Sequence, residues 1–361
     1  MRWKEKLTKP FDLYEISRLR PYLMGLAALW ITFYHSKYLN LFQSSFLTKT
    51  HLLGLVTRID FIGNCGVDLF FFLSGLGLYF SYTRLLEKNP RPAGSFYRRR
   101  YGRILPTILI VTVLTYGLLP MENRSDWFGA VLLYGFFVPG RANGNFWYLS
   151  ATMLFYLVFP LIHAALRGKR STVSAAALVL AAFGLSFLIR FCFRDYYFAQ
   201  GFFLFANRVP VFLLGAWMGK CCYEHRTVPR FVPMLSVPVS FLLLVLIADL
   251  PMEGYVRLYT YAAFVPCLVL AHAYAFSHLK KWGFFTKAVM AVGTCSMEIY
   301  LLYESIYNHA EGLFANSAFD ETGLIYALTV FAATLVLAVL LKTVSAWLSR
   351  QFEAQSGSSR S

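Results

Sequence analysis

The stretch from residue 66 to residue 80 reads GVDLFFFLSGLGLYF. It is the centre of a longer apolar run, residues 61–82, and about 20 such residues are enough for a helix to cross the ~30 Å hydrocarbon layer of a membrane. Asp68 is the only charged residue of the quoted stretch. The stretch therefore predicts a membrane-spanning helix that carries one carboxylate.

The composition of the whole chain agrees with a membrane protein. Of its 361 residues, 58% are apolar and 14% are charged, whereas soluble domains are about 45–50% apolar and about 25% charged. The six cysteines lack the CxxC and CxxH spacings of zinc or redox sites, so we predict no metal site. We also expect no removable signal peptide and no tightly bound cofactor.

Apolar runs of sufficient length occur ten times, which predicts an all-α integral membrane protein with about ten transmembrane helices. The predicted spans are 21–39, 61–82, 104–119, 146–166, 171–192, 202–219, 231–248, 258–277, 288–307 and 323–347. A shorter run at 127–139 is predicted to be interfacial or re-entrant. The predicted organisation is a basic N-terminal segment (1–20), one membrane domain (21–347) and a polar tail (348–361).

The basic charge of the chain predicts its orientation. Lys and Arg number 34 against 18 Asp and Glu, a net charge of +16. In a soluble protein this excess suggests nucleic acid as a partner, but in a membrane protein it marks the cytoplasmic loops. Because ten is an even number of spans, both termini lie on the same side of the membrane. Most of these cations fall on that side. We therefore predict that both termini are cytoplasmic and that nucleic acid is not a partner.

Two ionisable residues of the first two predicted spans are candidate catalytic residues, since charged groups inside a membrane are costly and often functional. His35 lies roughly 20 Å along its helix from the cytoplasmic end, and a neutral histidine accepts a proton from an attacking hydroxyl. Its alternative role is packing against a neighbouring helix. Asp68 is predicted to orient His35 or to pair with an arginine, unless it is only a solvated carboxylate at a helix start. Ser74 lies on the same predicted span as Asp68 and is a possible cavity or substrate-binding residue.

Four other residues are possible cavity or substrate-binding residues. Arg208 lies mid-span and is predicted to face a polar cavity or a carboxylate. Glu298 and Tyr300 share the ninth span, and a structural buried pair or a role in a substrate cavity remains open for them. Trp147 begins the fourth span, where a membrane-interface aromatic belt is the alternative. Oxyanion stabilisation by Arg208 or Ser74 is left open.

Residues 96–106 read FYRRRYGRILP and open the third predicted span. Arg100 and Arg103 are three residues apart, so on a helix they share a face and present two guanidinium groups to a phosphate or diphosphate. Taken alone, this basic segment is more typical of an anchor that contacts anionic lipids.

Six segments together resemble the acyltransferase type 3 family of integral-membrane enzymes, which O-acylate cell-envelope and exported glycans. They are MGLAALWITFYH (24–35), GVDLFFFLSG (66–75), FYRRRYGRILP (96–106), FWYLSATMLFYLVFPL (146–161), RVPVFLLGAWMG (208–219) and SMEIYLLYES (296–305). The second and third are the specific ones. The resemblance covers nearly the whole chain in order.

The resemblance implies an activity and assigns roles. It implies transfer of an acyl group, most often acetyl, from cytoplasmic acyl-CoA to a glycan hydroxyl, with succinyl as an alternative. His35 would be essential to transfer, and Arg100 and Arg103, with Arg98 beside them, would bind the donor. It further implies a bacterial plasma membrane, contact with membrane lipid, and possible partners among envelope-polysaccharide biosynthesis proteins.

The chain departs from the family pattern at three places. Many members carry an arginine where this chain has Met24, and Arg20, one helical turn earlier on nearly the same face, is our hypothesis for its replacement. The glutamates that follow the tryptophan of the fourth span are absent, and Tyr303 replaces a common histidine. Two alternative functions stay open, namely a transporter or flippase of a glycan or lipid intermediate, and an inactive relative that assists assembly.

Overall fold

The structure, a computed structural model, describes residues 10–35, 58–59, 61–117, 146–193, 197–249, 254–278, 283–314 and 323–358. Within these ranges the chain is almost entirely helical. The elements are β1 (Pro10–Asp12), α1 (Tyr14–His35), α2 (Cys65–Lys88), α3 (Ala93–Gly117), α4 (Phe146–Arg167), α5 (Ser171–Cys192), α6 (Tyr197–Ala206), α7 (Val209–Tyr223), β2 (Thr227–Pro229), α8 (Phe231–Asp249), α9 (Gly254–Ser277), α10 (Phe284–Thr294), α11 (Ser296–Phe314) and α12 (Gly323–Ser358).

Seven helices in the described ranges are long and apolar enough to cross a membrane. They are Cys65–Lys88, Trp147–Arg167, Ser171–Cys192, Phe202–Tyr223, Phe231–Asp249, Val256–Ser277 and Leu328–Gln351. An eighth candidate is α10 together with the start of α11, which are bent by 70° relative to each other. All eight coincide with predicted spans, so the all-α membrane architecture is confirmed.

The first and third predicted spans correspond to α1 and α3, which are not among the seven. Both helices begin with polar or basic turns, which lower the mean hydropathy of the helix. The predicted ends of these spans, 36–39 and 118–119, lie outside the described residues, as does the predicted interfacial run at 127–139. The number of ten spans and the cytoplasmic location of both termini therefore remain predictions.

Contacts between residues divide the chain into two compact units, where the sequence predicted one membrane domain. Unit 1 comprises Met1–Arg84, Leu161–Arg194 and Phe203–Thr294, and unit 2 comprises Leu85–Pro160, Asp195–Phe202 and Cys295–Ser361. In unit 1, α1 contacts α7, α9 and α10, and α7 also contacts α5. In unit 2, α3, α11 and α12 contact one another.

A small antiparallel sheet in unit 1 was not predicted. Strand β1 pairs with β2 in the register Pro10 to Pro229 and Asp12 to Thr227. Asp12 also caps α1, since its Oδ1 accepts a hydrogen bond from the Tyr14 N–H at 2.8 Å. Three-residue strands that contain proline lack the alternation by which a strand is recognised in a sequence.

Glycines bring α2 and α7 into backbone contact. A Cβ atom on Gly215 would lie well under 3.0 Å from the Phe72 carbonyl, and one on Gly219 would lie 2.7 Å from the Leu76 carbonyl oxygen. Side chains cannot occupy such positions, so small residues at these sites set the helix separation, as they commonly do in membrane bundles.

Replacing Gly215 with alanine is expected to destabilise unit 1, because the added methyl group must push α7 away from α2. Overpacking of this kind costs about 1–3 kcal/mol, and thermal unfolding of the detergent-solubilised protein measures it. The matched control is Gly184→Ala in α5, where a Cβ would meet nothing within 4 Å. Equal unfolding temperatures for the two variants would contradict this account of the α2–α7 contact.

Candidate active site

Helix α1, which carries His35, is held by two neighbouring helices of unit 1. On one side, a Cβ on Gly66 of α2 would lie 2.6 Å from Ile31 Cγ1 and 3.0 Å from the Ala27 carbonyl oxygen. On the other side, Gly25 lies against the carbonyl of Val289 in α10. The absence of side chains on these glycines allows both close approaches, and the two contacts fix the rotation of α1 about its axis.

His35 is the last residue of α1 and is half-buried. Successive residues of an α-helix are rotated by about 100° about the helix axis. His35 therefore lies about 40° around the axis from Ile31 and about 80° from Gly25, between the two. The imidazole is therefore on the side of α1 that faces α2 and α10, and its ring contacts that of Tyr34 edge to face at 5.1 Å. His35 is therefore directed toward the neighbouring helices of unit 1.

Arg20 extends from α1 onto α2. Its Nε donates a hydrogen bond to the Leu73 carbonyl oxygen at 3.0 Å, and a Cβ on Gly77 would lie 2.8 Å from the same Nε. Because α1 and α2 run antiparallel, Leu73 lies about one turn beyond Arg20, at the level of Met24. The guanidinium itself lies against Gly77, level with Arg20, and only its Nε bond extends toward the height of Met24. Half-buried Ser74 is the next residue along α2 after Leu73.

Asp68 and Arg208 form a buried ion pair at the ends of α2 and α7. The exposed fractions are 0% for Asp68 and 3% for Arg208. Arg208 Nε lies 3.7 Å from Asp68 Oδ2, which is too long for a hydrogen bond. Among the described residues, neither carboxylate oxygen of Asp68 has a hydrogen-bond partner. Of the two partners predicted for Asp68, the structure pairs it with an arginine, and no hydrogen bond joins it to His35.

Three polar residues that sequence reasoning missed surround this pair. Asn207 Oδ1 accepts a hydrogen bond from Arg208 Nη1 at 2.6 Å. Tyr261 of α9 is fully buried, and its hydroxyl donates to Asn64 Oδ1 at 2.6 Å. Tyr261 is also close enough to interact electrostatically with Asp68. A lone tyrosine or asparagine near an apolar run carries no signal that separates it from a packing residue.

The basic turn of α3, residues 98–103, lies in unit 2. Its arginines differ in how far they are exposed to solvent. Arg100 is half-buried, with its guanidinium carbon 5.8 Å from the ring centres of Phe96 and Tyr156. This is the distance of a cation–π contact. Arg98 and Arg103 are exposed. Arg99, in the same turn, is exposed as well, so the turn offers one arginine with a fixed position and three that reach solvent.

Hydrogen bonds anchor the basic turn on both sides. The Tyr97 hydroxyl donates to the Leu157 carbonyl at 2.9 Å, and the Tyr101 hydroxyl donates to the Met153 carbonyl at 3.1 Å, both in α4. The Ser349 hydroxyl of α12 donates to the Gly102 carbonyl at 2.8 Å. A lipid anchor needs only charge, whereas a binding site for a defined anion gains from donors held in place.

The other predicted residues of unit 2 lie near α11. Glu298 is 4% exposed, and Arg103 and Lys342 are the cations that act on its charge. Tyr300 is buried, with its ring 5.0 Å from that of Tyr148. The structure thus places Glu298, Arg103 and Lys342 in one part of unit 2, without a described ion pair between Glu298 and either cation.

Trp147 is half-buried at the start of α4. Its ring meets the ring of Tyr148 edge to face at 6.5 Å. The predicted residues of unit 1 are His35, Arg20, Asp68, Ser74 and Arg208, and those of unit 2 are Arg98, Arg100, Arg103, Trp147, Glu298 and Tyr300.

Seven apolar helices in the described ranges, a half-buried histidine at the end of α1 and the basic turn of α3 are features expected of an integral-membrane acyltransferase. The sequence model of the acyltransferase type 3 family, described as an acyltransferase domain, matches residues 22–343. The chain therefore belongs to this family of membrane acyltransferases. A search of curated proteins and a search of solved structures found no match.

Proposed function

We propose that this protein moves an acyl group, most simply acetyl, from cytoplasmic acyl-CoA to a hydroxyl of a cell-envelope or exported polysaccharide. Membership of the acyltransferase family supports the reaction class. The observation that carries the choice of donor is the basic turn of α3, in which Arg100 contacts two aromatic rings, the Tyr101 hydroxyl bonds to α4 and the Gly102 carbonyl accepts a hydrogen bond from α12.

Arg98, Arg100 and Arg103 bind the phosphates of acyl-CoA in this proposal. Guanidinium groups suit phosphates because each offers a planar fork of donors. Arg100 serves as the fixed donor, since aromatic contacts restrict it. Exposed Arg103 closes on the phosphate from the solvent side.

His35 acts as the general base. Its neutral imidazole takes the proton of the acceptor hydroxyl while that oxygen attacks the thioester carbonyl carbon. The carbon–sulfur bond then breaks, and the proton passes to the CoA thiolate, so that the products are an ester and CoA thiol. A two-step route, in which His35 first accepts the acyl group, balances in the same way.

Arg20 takes the place of the family arginine that Met24 replaces. Its bond to the Leu73 carbonyl supports this proposal, because it holds the guanidinium on the α2 side of α1, about one helical turn from Met24. Asp68 and Arg208 hold the ends of α2 and α7 together in this scheme. We propose a bacterial plasma-membrane location and partners among the proteins that build envelope polysaccharides.

Labelled acetyl-CoA supplied to inverted membrane vesicles tests the proposal, because the cytoplasmic face is then outside. Wild-type vesicles are expected to gain ester-linked label in a glycan or glycolipid fraction. Arg100→Ala and Arg103→Ala are expected to raise the KM for acetyl-CoA about tenfold to a hundredfold, since a charge-assisted hydrogen bond contributes ~1.5–3 kcal/mol. Arg20→Ala is expected to lower kcat in the same assay.

The control for these variants is Arg91→Ala, which removes an exposed arginine just before α3. If Arg91→Ala raised the KM as much as Arg103→Ala, general surface charge would replace the specific phosphate site. If wild-type vesicles stayed unlabelled with acetyl and succinyl donors and added envelope glycan, the acyl-transfer proposal would fail. Transport of a glycan intermediate would then be the function to test.

A further inference from the structure

A cavity of about 390 Å³ lies in unit 1 where α1 begins and α9 ends. Helix α9 is one of the seven helices that are apolar enough to cross a membrane, and its last residue, Ser277, lines the cavity. The end of an apolar span marks the boundary between lipid chains and lipid headgroups. The cavity is therefore at the depth where a headgroup lies.

Apolar residues form part of the cavity lining, and we call this part its floor. It includes Leu19 of α1 and Ala273 and Phe276 of α9, and the first two are buried almost completely. An apolar floor below a charged rim suits a ligand that is polar at one end and hydrocarbon at the other. A free metabolite such as a sugar phosphate would leave this floor without a matching partner.

Two arginines form the cationic part of the rim. Arg230 Nη2 lies 3.0 Å from His278 Nε2, and its guanidinium carbon lies 5.9 Å from the ring centre of Tyr274. His278 Nδ1 bonds to the Tyr274 carbonyl, which can only accept, so Nδ1 carries the proton and Nε2 accepts from Arg230. Arg18 is exposed and bonds to Glu15 at 3.1 Å. Arg230 is thus held in position, whereas Arg18 is in a weak surface pair that opens at small cost.

Two carboxylates form the anionic part of the rim. Glu15 is half-buried on the first turn of α1. Asp12 Oδ1 accepts a hydrogen bond from the Tyr14 N–H, and Asp12 Oδ2 lies 2.9 Å from His225 Nδ1. Each carboxylate oxygen accepts more than one hydrogen bond, so Asp12 retains acceptor capacity toward the cavity. The rim therefore combines charges of both signs around one cavity.

We propose that this cavity binds the headgroup of phosphatidylethanolamine. The phosphate contacts Arg18 and Arg230, the primary ammonium donates to Glu15 and Asp12, and the first part of the acyl chains covers the apolar floor. Phosphatidylglycerol lacks a cation for the two carboxylates. Phosphatidylcholine has a cation without N–H donors. The chemistry of the rim therefore favours the ethanolamine headgroup over both.

Lipid titration tests the proposal without reference to acyl transfer. Delipidated full-length protein in a neutral detergent is titrated with short-chain phosphatidylethanolamine, phosphatidylcholine or phosphatidylglycerol, and the rise in unfolding temperature yields a Kd for each. We expect phosphatidylethanolamine to bind about tenfold or more tightly than the other two, since one charge-assisted hydrogen bond is worth about that factor. Glycerophosphoethanolamine, the same headgroup without chains, is expected to bind more weakly than the lipid.

Three variants assign the effect to the rim. The double variant Arg18→Gln with Arg230→Gln is expected to weaken phosphatidylethanolamine binding about tenfold or more, and Glu15→Gln is expected to remove its preference over phosphatidylcholine. Arg170→Gln, an exposed arginine at the start of α5, is the control that leaves binding unchanged. Equal binding of all three lipids, or full binding by the double variant, would overturn the proposal. If glycerophosphoethanolamine bound as tightly as phosphatidylethanolamine, the ligand would be the free headgroup and not the lipid.

Discussion

Replacing His35 with alanine is expected to reduce acyl transfer about 10²–10⁴-fold, the factor that a positioned general base contributes. The loss is expected in kcat with little change in the KM for acyl-CoA, because the proposed donor phosphates bind at the α3 arginines. Initial rates of ester formation in inverted vesicles, measured over a range of donor concentrations, give both constants. Unfolding temperature is measured in parallel, so that a loss of activity through misfolding is distinguished from the loss of the general base.

A second histidine supplies the control for this experiment. His272 of α9 bonds through Nδ1 to the Leu268 carbonyl of its own helix at 2.8 Å. His272→Gln is expected to retain activity within about threefold, because it loses only one such local bond, worth ~0.5–1.5 kcal/mol. A His35→Ala protein with wild-type kcat would remove His35 from the chemistry and would favour a transporter or an assembly partner.

Removing one member of the Asp68–Arg208 pair is expected to cost about 3–5 kcal/mol of stability, because the other charge is left buried without its counter-charge. Asp68→Asn and Arg208→Gln each test this, with the free energy of unfolding measured by chemical denaturation in detergent. Replacing both residues together by apolar side chains of similar size, Asp68→Leu with Arg208→Met, is expected to restore part of the loss. The double-mutant cycle then isolates the coupling between the two residues.

An exposed pair of the same two residue types is the matched control. Arg58 Nε lies 2.8 Å from Asp249 Oδ1, and both side chains are well exposed. Arg58→Gln is expected to cost no more than about 1 kcal/mol, as is usual for surface pairs. If Asp68→Asn cost as little as Arg58→Gln, the buried pair would have to be solvated in the folded protein.

Much of the fold is predictable from the sequence, because a helix that crosses a membrane requires about 20 consecutive apolar residues. Few other structural elements require so long an apolar run. Hydropathy does not predict whether the helix stays straight along such an apolar run. Residues 288–307 form one predicted span, yet the helix bends by 70° between Thr294 and Ser296. Apolar composition is the same on both sides of this bend, so only packing distinguishes a straight span from a broken one.

The candidate site is less predictable, because its residues are far apart in the chain. The depth of Asp68 and Arg208 follows from their places in two apolar runs, but their pairing depends on how α2 and α7 are rotated. Arg100 and Arg103 are equivalent in the sequence, and the structure separates them through Tyr156, which lies on another helix. Glycine positions carry partial information, since Gly75 and Gly215 mark the faces that meet.

The pairing of β1 with β2 has a consequence for how the chain is made. Strand β1 leaves the ribosome first, but its partner at Thr227–Pro229 is synthesised only after the segment that ends with α7. The start of the chain must therefore wait, with its strand edge unpaired, while several membrane segments are inserted. Translation order thus makes the N-terminal end of α1 one of the last parts of unit 1 to reach its final structure, although it is the first to be synthesised.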